Sequence, residues 1–156
     1  MSALTAEGRL KELGIELPQP PRPLGAYVGA VQTGNLLFLS GTLPVEAGTA
    51  KYTGRVGAEL TLEEGAAATR LAALNSLALA RGHLGSLDKV TRIVRLSVAL
   101  VTTADFQAHP KVADAASELL VSIFGRERIS TRAVLGVSSL PLGACVETEM
   151  VFEVQR

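Results

Sequence analysis

The segment "VTRIVRLSVALV" (90–101) alternates apolar and polar residues. Val94, Leu96, Val98 and Leu100 face one way, and Arg95, Ser97 and Ala99 the other. That is the period-2 pattern of a strand with one buried face. "CVETEMVFEV" repeats it near the C-terminus: Val146, Met150, Phe152 and Val154 share a face, with Glu147, Glu149 and Glu153 opposite, Val151 between them. Upstream, "AYVGAVQTGNLLFLSG" predicts two strands about a tight turn at Thr33-Gly34-Asn35. "TLPVEAGTAKYTGRVGAEL" is Gly-rich and predicts a long loop with a short strand. The period changes at Thr61, where "TLEE" is a capping box and an Ala-rich body follows. Ala67, Leu71, Leu74 and Ala78 predict its apolar stripe, and Gly82 and Gly85 offer stops. "HPKVADAASELLVSIFG" predicts a second helix, with Pro110 in its first turn, a stripe of Val112, Ala116, Leu119 and Ile123, and Gly125 closing it. "RAVLGVSS" and "CVETEMVFEV" are the last strands, joined by "LPLGA".

Residues 3–13 predict a short helix with Leu4, Leu10 and Leu13 apolar, and the prolines of "ELPQPPRPLG" then impose an extended arm. The division is an N-terminal helix and Pro-rich arm over 1–23 and one domain over 24–156. The order β-β-α-β-α-β-β puts two helices on one face of one sheet. The other face must be wet or covered by another subunit.

Composition sharpens this picture. Hydrophobic residues make up 47% of the chain and charged residues 19%, a surplus that points to subunit contacts. Lys+Arg and Asp+Glu both total 15, and this balance argues against a generic nucleic-acid binder. The N-terminus carries acids and lacks the apolar core of a signal peptide, and no apolar run approaches a membrane span. With a single cysteine, Cys145, the expectation is a cytoplasmic chain without membrane partners.

Few residues point to chemistry. His83 and His109 lack metal-ligand spacing and sit near helix ends, Cys145 has no His partner, and the glycines form no phosphate loop. No metal or cofactor is expected. Arg132 stands at the mouth of an apolar strand with no adjacent acid. It reads either as a surface arginine or as a two-pronged anchor for a carboxylate. Glu149 and Glu153 read as a solvated acidic face.

"LGAYVGAVQTGNLLFLSGTLPV" and "TRAVLGVSSLPLGACVETEMVFEV" resemble two motifs of the YjgF-like Rid family, the reactive intermediate deaminases. The first resembles G-x-Y-x-x-x-V…G-N…S-G-x-x-P-V and the second A-R-x-x-V-x-V-x-x-L-P…V-E-x-E. The longer arm and the loop 45–59 resemble a longer, chorismate-mutase-like branch. The resemblance implies an α+β, chorismate-mutase-like fold: one mixed sheet, two long helices on one face, and a homotrimer with clefts between subunits. It implies hydrolysis of small 2-imino or 2-enamine acids to 2-keto acids and ammonia, without a cofactor. Arg132 would bind the substrate carboxylate and Glu147 would position or activate water. The Val134 carbonyl would help hold that water, and Tyr27, Ser40 and Gly41 would line the pocket. Two other readings stay open: a non-catalytic, regulatory binder of small carboxylates on the same fold, and an endoribonuclease or translation-inhibitor role.

A simple hairpin at "LPLGA" would put Arg132 opposite Phe152 and Glu147 about 17 Å away at strand rise. One small substrate cannot bridge that gap. Either the last two strands do not pair in that register, or the site joins residues of different chains; the second is the expectation.

Overall fold

The computed structural model describes residues 5–156. Its elements are α1 (Ala6–Glu12), β1 (Ala30–Thr33), β2 (Leu36–Leu39), β3 (Val45–Glu46), β4 (Thr49–Ala50), α2 (Leu62–Leu84), β5 (Val90–Val101), α3 (His109–Phe124), β6 (Thr131–Val137) and β7 (Val146–Val154). The main sheet has the order β1-β2-β7-β5-β6, and β3 and β4 form a small hairpin apart from it. All main-sheet pairs are antiparallel except β5–β6, so the sheet is mixed. The fold is α+β.

Local signals hold where the chemistry is specific. The Thr61 side chain accepts from the Glu64 N–H at 3.1 Å while Glu64 accepts from the Thr61 N–H at 2.7 Å, so the capping box starts α2. Gly34 turns β1 into β2 at φ +59°. In α3, Pro110 lies in the first turn, and Val112, Ala116, Leu119 and Ile123 are all buried. Thr5 caps α1, whose Ala6 and Leu10 are buried in the common core while Leu13 is exposed; Leu4 of the expected helix lies outside the described residues.

Three expectations are corrected. In α2, Ala67 is exposed and Leu71 only partly covered. Leu74 and Ala78 of the expected stripe are buried, but the buried side also takes in Gly65, Ala68, Thr69, Ala72, Asn75 and Ser76. An Ala-rich helix has almost no hydrophobic asymmetry, and α2 packs on both β7 and α3, so it is covered on most sides. In β5, a register shift between Ile93 and Arg95 buries Ile93 and leaves Val94 36% exposed. The third concerns the last strands. β6 does not pair with β7; it runs parallel to β5, and β7 lies between β2 and β5. Arg132 therefore stands opposite Leu96, not Phe152. The physical reason is that α3 carries the chain back over the sheet, which makes the following strand parallel. "LPLGA" then becomes a crossover. β7, with Val146, Met150, Val151, Phe152 and Val154 all buried, takes the centre. β6, with Leu135 exposed, takes the edge.

The core lies between the sheet and the two long helices. Leu37, Leu96, Leu100, Met150 and Phe152 meet Leu77, Leu120 and Ile123 there. Each large side chain so buried stabilises the fold by roughly 1.5–3 kcal/mol. The sheet's other face carries Val31, Phe38 and Leu135, all exposed.

Candidate functional site

The site is built where β2 ends. Phe38 pairs with Val151, and Thr42 with Thr148, so four steps on one strand match three on the other. The extra residue is a bulge at Ser40–Gly41. It bends the chain away from β7 beside Glu147. A β-carbon on Gly41 would collide with the Glu147 carboxylate, so a larger residue there would push that side chain out of its present position. This adds a second reason for the glycine beyond backbone access.

The flanking residues hold the pair in place. Thr42 and Thr148 exchange backbone hydrogen bonds of 2.8 and 2.9 Å. Their hydroxyls are 2.8 Å apart, and both reach the Ser76 hydroxyl of α2. All three residues are buried. Since Gly41 precedes Thr42 and Glu147 precedes Thr148, this hydroxyl cluster pins the bulge and the carboxylate to the helix layer. No sequence pattern marked it, because isolated Ser and Thr have no period.

Ser40 donates its hydroxyl to the Val28 carbonyl and its N–H to the Gly29 carbonyl at 2.9 Å. The Tyr27 hydroxyl accepts from the Leu24 N–H at 3.0 Å. Tyr27, Ser40, Gly41, Pro141 and Glu147 line an open cleft of about 540 Å³. Gly41 and Glu147 also border a second cleft of about 440 Å³ with Arg95, Ser97, Leu135 and Glu149. Arg95 is exposed on the same sheet face and donates from Nε to the Ser97 hydroxyl at 3.2 Å. It was legible only as the polar side of the β5 alternation.

Partial burial pushes the Glu147 carboxyl above its ordinary range, and the charge of Glu149 adds to that push. A carboxyl poised this way can accept or return a proton nearer neutrality than a solvated one.

Tyr27, Ser40, Gly41 and Glu147 are thus together. Arg132 and Val134 are not with them in this chain. Their register partners, Leu96 and Val98, point into the core, so both belong to the helix side of the sheet. Glu147 pairs with Ala99, three residues along β5 from Leu96 and across one further strand from β6. The backbones are about 10 Å apart along the strands and about 10 Å across them. Arg132 donates from Nη1 to Asp114 at 2.7 Å and to the Ser117 hydroxyl at 3.1 Å. Both contacts use Nη1, which leaves the Nε–Nη2 edge of the fork for an anion.

The remaining candidates are structural. Burial raises the Cys145 thiol to about 11, which suppresses its nucleophilic form. His83 lies 3.2 Å from the Gln32 amide oxygen, and His109 opens α3 with its ring edge-on to Phe106. Among the described residues no group of three or more His, Cys, Asp or Glu is placed to hold a metal, and no helix is long and apolar enough to cross a membrane.

Residues 7–153 match the family model described as "YjgF/chorismate_mutase-like, putative endoribonuclease". The chain belongs to this YjgF/chorismate-mutase-like family. It is 39% identical to Protein TCP17 of Trypanosoma cruzi over 99% of both chains. A 2-iminobutanoate/2-iminopropanoate deaminase of Dermatophagoides farinae is 28% identical over 90% of this chain and 95% of its own. Among solved structures, a Shewanella oneidensis protein described as a "putative endoribonuclease" superposes with a TM-score of 0.92 at 35% identity, over 96% of this chain and 99% of that one. The Rid-family resemblance and the YjgF-like fold are therefore established, and the family's names include both deaminase and endoribonuclease.

Proposed function

We propose that the chain hydrolyses small 2-imino acids, and the 2-enamine acids that tautomerise to them, to 2-keto acids and ammonia. The observation that carries this reading is the Glu147 carboxyl, half-buried beside Gly41 at the border of two clefts, with its proton affinity raised by its surroundings. The D. farinae relative named as an imine deaminase supports it.

The chemistry needs little else. Glu147 takes a proton from water as the water oxygen bonds to the imine carbon, and the C=N π pair moves to nitrogen. That proton passes to nitrogen, giving a carbinolamine; Glu147 then takes the hydroxyl proton and delivers it to the same nitrogen, the C–N bond breaks, and ammonia leaves as the C=O forms. The substrate's carboxylate must be held so that its neighbouring carbon faces that water. Gly41 lines this cleft, and its N–H makes no backbone hydrogen bond among the described residues. For the guanidinium anchor, the reading takes Arg132 of a neighbouring copy, with its Nε–Nη2 edge, and the Val134 carbonyl beside it. A homotrimer supplies such clefts. The exposed Val31, Phe38 and Leu135 on the sheet face away from the helices support association.

The test is a coupled assay. An amino-acid oxidase generates imines in situ, and ammonia release is followed with and without the protein. Faster release with the wild-type chain, and none above background with Glu147→Gln, is the expected result. No acceleration for any imine would overturn the reading.

A further inference from the structure

The end of the proline-rich arm reaches the candidate site, where Leu24 and Gly25 border the Glu147 cleft. Pro21, Arg22, Pro23 and Leu24 border a small neighbouring cavity that shares Leu24, Tyr27, Ser40 and Gly41 with that cleft. The arm is held at both ends of this short stretch. Pro20 packs against α2 at Gly82, and Leu24 donates its N–H to the Tyr27 hydroxyl. Between these points the backbone of Arg22 is confined, because Pro20, Pro21 and Pro23 each fix φ. A confined backbone loses little further entropy when its side chain takes a ligand.

Arg22 itself is exposed and forms no ion pair or side-chain hydrogen bond among the described residues. Glu46, which borders with Arg22 a cavity on the arm's other side, is itself paired with Lys51 at 3.1 Å. An unpaired guanidinium on a stiff wall beside the Gly41 end of the site is suited to an anion.

We infer that Arg22 anchors a second anionic group of the substrate, so that the enzyme prefers 2-imino dicarboxylic acids to monocarboxylic ones of equal length. This rests on the imine-hydrolase reading and names its substrate class. The first carboxylate is held at the reacting end; the second, on the substrate's side chain, lies toward the arm.

Two measurements test it. In the first, imines are generated in situ from L-glutamate and from L-norvaline, which match in carbon number, and kcat/KM for ammonia release is compared. The wild-type protein should favour the glutamate-derived imine. Arg22→Gln should lower the dicarboxylic-to-monocarboxylic ratio by about tenfold, the loss of one charge-assisted contact. Arg22→Lys should recover part of the ratio, since it keeps the charge without the fork. In the second, binding of 2-oxoglutarate and 2-oxopentanoate is compared by calorimetry for the same proteins, with the same order expected. A wild-type protein indifferent to the second carboxylate, or a ratio unchanged in Arg22→Gln, would overturn the inference. If no imine is hydrolysed, the hydrolase reading fails and calorimetry decides alone: an Arg22-dependent preference for 2-oxoglutarate keeps the anion anchor, and its absence removes it.

Discussion

At the residue scale, Glu147 carries the most consequence. Its raised proton affinity, caused first by burial and then by Glu149, sets a sign for two pH effects. A carboxyl that holds its proton more tightly folded than unfolded favours the fold fully below the unfolded value. That contribution is lost as pH rises through the folded value. Activity has the opposite sense, because the base must be ionised: turnover rises as pH climbs through the same raised value. Glu149→Gln removes the second cause and should move the acid limb of the kcat/KM profile to lower pH, with the fold intact. A limb that stays in place would mean that Glu149 does not act on Glu147. Glu147→Gln should cut turnover while leaving binding of a keto-acid product within about twofold, since the amide keeps the shape but not the base.

The element scale is where sequence chemistry was specific in some places and silent in others. The capping box of α2 is a local device and was readable at once. Thr61→Ala removes the oxygen that accepts from Glu64 and should lower stability by about 1 kcal/mol, read from urea denaturation, with ammonia release unchanged at 25 °C. The buried face of α2 was not readable. Ala67 and Leu71 fit the period as well as Ala68 and Ala72 do, and only the position of β7 and α3 decides between them. The β2 bulge was equally silent. Ser40 and Gly41 were recognisable as pocket residues by resemblance, yet the steric link between Gly41 and Glu147 needs two strands brought side by side.

At the scale of the whole molecule, the strand order changes the argument for a composite site. β6 and β7 form no hairpin, so the Arg132–Glu147 gap is not set by a hairpin register. The sheet replaces it with a stronger separation: β5 intervenes, and the two side chains belong to opposite faces. If the site joins two copies, the protein is a trimer by light scattering at micromolar concentration. Inactive Arg132→Ala and Glu147→Gln proteins, dissociated and reassembled together, should then regain part of the activity, because some interfaces carry both native residues. A clean monomer, or no recovery after proven mixing, would place the anchor within one chain.

What the sequence determined by itself was what depends on near neighbours: the caps, the period of α3, the alternation of β5 and β7, the turn at Gly34. Each is set by residues within a few positions of one another, where sterics and hydrogen bonding act along the chain. It also carried two motifs long enough to show the family. Only the tertiary structure decided that β7 sits at the centre, that Arg132 faces α3 while Glu147 faces the open side, and that the arm's Arg22 borders the same pocket as Gly41. Those facts depend on which apolar surfaces bury one another, a choice made among all segments at once, and no local pattern along the chain encodes it.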